Sequence, residues 1–183
     1  MSMFDRIKDQ AKGLQQSRGG GARSGGQGSG SSGSGGGSKA QLVSMFKSQL
    51  SSMKTELKSG AYRDASMAVC ALVAAADGHV HPAERERMDS LIVSNDVLQN
   101  FPPEQLRQRF TKHLDRLTVD FQQGKAEALQ EIAKAKKKPA EARAVIQTAF
   151  VIASADGHVD PAEQQVIREA CSVLGLPPSE FGI

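Results

Sequence analysis

The 183-residue chain has room for one ordinary domain and a tail. Its formal charge of +3 belongs to the tail: residues 1–39 hold six Lys/Arg against two Asp/Glu, and residues 40–183 hold 17 against 18. That near-neutral main segment lacks the basic footprint of a nucleic-acid binder. No apolar run reaches the roughly 18 residues of a membrane span, and the charged opening Met1–Gln16 has no apolar signal-peptide core, so a cytoplasmic protein is expected.

Residues 1–17 predict a short amphipathic helix, with Phe4, Ile7, Ala11 and Leu14 on one stripe and Arg6, Lys8 and Lys12 off it. Such a helix is marginal alone in water; its own domain, a partner and an anionic membrane surface are the three docking sites open to it. Residues 18–38 are Gly and Ser except for two Arg, one Ala and one Gln. That composition predicts a disordered linker with a reach of about 25 Å.

From residue 39 to 183 the pattern is helical, with no sustained strict alternation. Helices are expected at about 40–58, 61–76, 82–94, 103–122, 125–136, 140–155 and 161–174. In the fourth, Leu106, Phe110, Leu114, Leu117 and Phe121 form the stripe, Pro103 opens the span and Gly124 closes it. Short connections predict a compact all-α bundle of about seven helices. Cys70 and Cys171 lie in apolar helical patterns and read as buried thiols.

Two stretches nearly coincide. Residues 74–84 read A-A-A-D-G-H-V-H-P-A-E and residues 153–163 read A-S-A-D-G-H-V-D-P-A-E, identical at nine of eleven positions and 79 residues apart. Much of this turns a helix corner. Gly78 and Gly157 suit the left-handed position past a helix end, and Pro82 and Pro161 suit the first turn of the next helix. Asp160 and Glu163 form a capping box; in the first copy His81 is a weaker cap.

The carboxylates ask for more. Asp77 and Asp156 fall at the negative end of a helix dipole, where an anion is disfavoured by a few tenths of a kcal/mol or more. Asp-Gly-x-Val-x-x-x-Glu also reproduces the second half of a calcium loop. Its first half is missing: Val73, Ala75, Ile152 and Ser154 stand where oxygen ligands would be needed. One copy alone is thus a poor site, but two facing copies could pool Asp77, Glu84, Asp156 and Glu163 as hard-oxygen ligands. Ca²⁺, Mg²⁺ or Mn²⁺ fit such a set better than Zn²⁺. His79, His158 and Asp160 are accessory candidates, although the histidines read more readily as exposed turn residues.

The run Lys134, Lys136, Lys137 and Lys138 suits a helix C-terminus; its functional reading is contact with an acidic partner or lipid head groups. No Ser–His–Asp set, phosphate loop or zinc-type Cys/His spacing is present, so neither an enzyme nor a small-molecule substrate is expected.

With these residues in view, the chain resembles the TerB family of tellurite-resistance proteins. The resemblance is carried by the opening M-S-M-F-D-R-I-K, the block A-V-C-A-L-V-A-A-A-D-G, the paired D-G-x-V-x-x-x-E motifs and the ending A-C-S-V-L-G-L-P-P-S-E-F-G-I. It implies an all-α fold and a role in tellurium-oxyanion and chemical-stress resistance. The implied form is a metal-binding sensor or adaptor working with other Ter-type proteins near the inner face of the membrane. The alternative is a metal-free scaffold that offers its acidic patch to a basic partner.

Overall fold

In the computed structural model, which describes residues 35–183, the described residues form helices joined by turns and short loops, with no strand among them. Seven α-helices follow in order among the described residues: α1 (Gly35–Ser52), α2 (Gly60–Ala74), α3 (Pro82–Ser94), α4 (Pro103–Val119), α5 (Phe121–Ala133), α6 (Pro139–Ala153) and α7 (Pro161–Leu174). Short 3-10 turns follow α3, α5, α6 and α7. The N-terminal helix expected over 1–17 lies outside the described residues.

The core forms around α2. Every residue from 65 to 75 is buried, as a helix apolar on all sides requires. Its alanines let neighbours approach, and α4, α5, α6 and α7 all pack on it. α6 repeats this character, with Val145, Ile146, Ala149 and Ile152 buried. The two helices are tied by a buried hydrogen bond of 2.7 Å between the Tyr62 and Thr148 hydroxyls. Burial pushes the Tyr62 phenol up to about 12, so it serves as a neutral bridge. α1 lies against α6, where Phe46 meets Phe150 and Gln147 Nε2 donates to Gln49 Oε1 at 2.6 Å.

Several boundaries differ from the sequence reading: the helix expected over 125–136 is found at Phe121–Ala133, and three other bounds move by three residues or more. α1 starts at Gly35, inside the stretch expected as linker, because a helix anchored by buried Phe46 and Leu50 propagates upstream into it. It stops at Ser52 instead of 58, since Asn100 Nδ2 donates to the Lys54 and Leu57 carbonyls and holds a turn that buries Leu57. The helix expected over 103–122 ends at Val119.

Gly124 is not its terminator but a residue inside α5. The true boundary signal is Asp120, whose side chain accepts the Gln123 N–H at 3.1 Å and caps α5. Gly124 serves the crossing of α4 and α5: a Cβ there would lie 2.7 Å from Leu117 N.

Candidate functional site

The two central helices α2 and α6 each run into a copy of the repeated motif, and each copy leads into the next helix, α3 or α7. Gly78 (φ 87°) and Gly157 (φ 106°) take the left-handed conformation that reverses the chain. Pro82 and Pro161 begin α3 and α7. Before α7, Asp160 Oδ1 accepts the Glu163 N–H and Glu163 Oε2 accepts the Asp160 N–H, both at 2.9 Å. Before α3, His81 makes no side-chain cap.

The aspartates have a local purpose that the sequence reading missed. α2 and α6 end at Ala74 and Ala153, so Asp77 and Asp156 sit beyond the α-helical ends. Asp77 Oδ1 accepts the His79 N–H at 2.9 Å, and Asp156 Oδ1 accepts the His158 N–H at 3.3 Å. Each is a side-chain-stabilised turn, which offsets the helix-dipole penalty expected for them. His79 and His158 are exposed and enter through their backbones.

The weight therefore moves to the glutamates. Burial pushes the Glu163 carboxyl up to about 7. The Asp160 N–H opposes this, and the neighbouring carboxylates of Asp160, Asp156 and Glu84 raise it further. Burial likewise raises Glu84 above the usual glutamate range; Asp77 and Asp160 add to this, while His81 and Arg87 oppose it. Glu84 belongs to the first copy, and Glu163, Asp156 and Asp160 to the second. The fold thus gathers carboxylates of both copies into one electrostatic neighbourhood.

A residue that the motif comparison passed over joins them. Arg87 Nη1 on α3 lies 3.7 Å from Asp156 Oδ2 in the second-copy turn. The identical stretch ends at Glu84, and the position equivalent to Arg87 is Val166, so the repeat itself gave no signal.

The donor chemistry, carboxylate oxygens on a partly buried and over-acidic corner, fits a hard divalent cation. Among the described residues no three His, Cys, Asp or Glu side chains converge as one metal-holding group.

The lysine run is exposed, and two of its members are in ion pairs. Lys134 pairs with Glu131 at 2.9 Å and Lys138 with Glu141 at 3.7 Å. The Lys136 chain runs beside Gly175, the left-handed residue that ends α7, where a cation is favoured. Lys137 is exposed beside them. Both cysteines are buried, and burial pushes both thiols up to about 12.

The fold and the corner define an all-helical module built around a duplicated acidic helix junction. The chain belongs to the TerB family: the family model described as "Tellurite resistance protein TerB" matches residues 63–183. The match takes in both motif copies and the C-terminal segment, and begins after α1. No curated protein and no solved structure matches the chain. Among the described residues no helix is long and apolar enough to cross a membrane.

Proposed function

We propose that the chain is a divalent-cation-binding sensor or adaptor that acts in tellurite and chemical-stress resistance with other Ter-type proteins, in the cytoplasm and at most peripherally at the membrane. The observation that carries the cation reading is Glu163, whose carboxyl stands at about 7 through burial and through the carboxylates around it, one of them Glu84 of the other copy. A group of acids that resist ionising together is relieved by a dication. Asp77, Glu84, Asp156 and Glu163 are the proposed ligands, with Asp160 and the exposed His79 and His158 as accessories. Ca²⁺, Mg²⁺ or Mn²⁺ is favoured over Zn²⁺ because the donors are oxygens.

The module acts by binding rather than by catalysis. Tellurite is an anion, which the acidic corner repels, and the two thiols are held protonated by burial.

Calorimetric titration of the full chain with Ca²⁺, Mg²⁺, Mn²⁺ and Zn²⁺, repeated on the Asp77→Ala, Asp156→Ala double variant, tests the reading. Binding of a hard cation tighter than about millimolar, lost in the variant, supports it at the weakest affinities known for such oxygen sites. No binding refutes it.

A second reading, a metal-free scaffold for a basic partner, is favoured by the Arg87–Asp156 pair, in which a basic group already serves the corner. On that reading a chelator changes neither thermal stability nor partner capture. A chelator-induced loss of stability that one ion reverses rules it out.

A further inference from the structure

We propose that the turn bearing Lys134, Lys136, Lys137 and Lys138 is the face by which this chain rests on an anionic lipid surface. The proposal deepens the peripheral-membrane part of the reading above and does not depend on its cation part.

The lysines are displayed on a fixed element. They occupy the 3-10 turn Lys134–Lys137 and its cap Lys138, between α5 and α6. Ala135 within that turn is buried at 1% exposure, flanked in sequence by the buried Ile132 and Ala142. The turn packs on α2, α5, α6 and α7. Its apolar side chain is thus driven into the core, while the four charged ones are left exposed.

Their charge is not cancelled within the fold. Lys134 pairs with Glu131 and Lys138 with Glu141, but Lys136 and Lys137 meet no acid among the described residues. Further positive charge adjoins the turn. Asp64 on α2 is shared by Arg63 and by Arg109 of α4, and its charge also acts on Lys134. Six cations here have three carboxylates, Asp64, Glu131 and Glu141, as their ion-pair partners.

The make-up of this surface selects the partner. Protein interfaces are carried by aromatic or arginine anchors that fill apolar pockets. Among the described residues the exposed large apolar side chains are Met45 on α1 and Val119 before α5, whereas the lysine turn follows α5. The two arginines are engaged with Asp64, and Arg63 also with Gln105 at 3.0 Å. Phe101, beside Arg63, is buried and offers no stacking platform to a nucleic acid.

What remains free is lysine, a compact, strongly hydrated point charge on a flexible stem. Such charges bind through density rather than fixed geometry, which is what a sheet of anionic head groups offers. One weak element does not anchor a protein stably, and two together do. The sequence of residues 1–17, with its apolar stripe and Arg6, Lys8 and Lys12, reads as a second such signal.

The test is co-sedimentation of the full chain with vesicles in chelator, so that no cation bridges an acidic side chain to a lipid. One set is phosphatidylcholine alone, the other an equal mixture of phosphatidylcholine and phosphatidylglycerol. The parent is expected to prefer the mixed vesicles and to leave them as salt is raised. Lys136→Gln with Lys137→Gln breaks no ion pair and is expected to weaken binding on the order of tenfold or more, at roughly fivefold per lysine. Lys39→Gln with Lys47→Gln removes equal charge from α1 and is expected to bind like the parent. Lys47 lines a cleft with Ser154 and Ala155, at the far end of α6 from Lys138.

Equal binding by the parent and the Lys136→Gln, Lys137→Gln variant overturns the assigned face, as does equal weakening by both double variants or a parent indifferent to the anionic lipid. In those cases the membrane reading stands. A parent that binds neither kind of vesicle overturns the face and the peripheral-membrane reading together, and returns the lysines to an acidic protein partner.

Discussion

Glu163→Gln isolates the electrostatic strain of the acidic corner. The glutamine keeps an oxygen for the Asp160 N–H, so the cap before α7 survives while the charge is removed. In the folded chain the Glu163 carboxyl stands at about 7 rather than the ordinary 4.5. A folded-state value raised in this way means that the native chain binds the proton more tightly than the unfolded one. The contribution to stability is complete below pH 4.5 and is lost as pH rises through about 7.

The full displacement corresponds to roughly 3 kcal/mol at 1.36 kcal/mol per pH unit. Glu163 is only partly buried, and solvent screening reduces this to about 1–2 kcal/mol. In chelator, Glu163→Gln should therefore be more stable than the parent by about 1–2 kcal/mol at pH 8, and nearly equal to it at pH 5. The assay is urea unfolding followed by far-UV circular dichroism at both pH values. Each kcal/mol would also raise Tm by about 2–4 °C in a domain of this size. A variant that is less stable than the parent at pH 8, or differs from it equally at both pH values, would refute the reasoning.

Three further outcomes are expected. Gly124→Ala gains about 1 kcal/mol of helix propensity, but its Cβ would sit 2.7 Å from the Leu117 backbone nitrogen and would force α4 from α5. Overpacking of about 1–3 kcal/mol should lower the urea midpoint, and an unchanged or higher midpoint contradicts the close crossing. His113 is buried with its Nδ1 unpartnered. Burial holds its pKa below the ordinary 6.5, with Lys112 and Arg116 of α4 acting the same way and Glu131 and Glu127 of α5 opposing. A lowered histidine pKa costs stability as pH falls below 6.5. In a Glu163→Gln background, which removes the opposite slope, His113→Leu should flatten that acid-side decline; an unaltered slope counts against it. Finally, neither Cys70 nor Cys171 should react quickly with a disulfide reagent in the native protein, and both should react in guanidinium. Rapid native labelling of either would show that it is not sealed in the core.

The sequence and the structure agree best where punctuation and periodicity coincide. α3 and α7 start at Pro82 and Pro161, with bounds as read from the sequence, because proline at the first helical turn is an unambiguous signal. The α4–α5 boundary was misread because glycine has two uses. Gly124 looks like a stop, yet it is required by an interhelical contact that only tertiary structure creates, while Asp120 gave the local signal.

At the corner, the four carboxylates were legible as a repeat, but the physical reason for them was not. Asp77 and Asp156 are satisfied by their own turns, so the strain falls on Glu84 and Glu163 through burial. Burial depends on how α3 and α7 pack, which motif spacing does not encode. Arg87 was invisible for a related reason: it matters by reaching the opposite copy, and its own equivalent is the apolar Val166.

If both copies form one cation site, a single ion binds each chain. Native mass spectrometry of the full chain with Ca²⁺ or Mn²⁺ present counts the ions directly. One bound ion per chain is expected, lost equally when Asp77 and Glu84 or Asp156 and Glu163 are replaced by Ala and Gln. Two independent ions, each lost with one copy alone, or none at all, would contradict it.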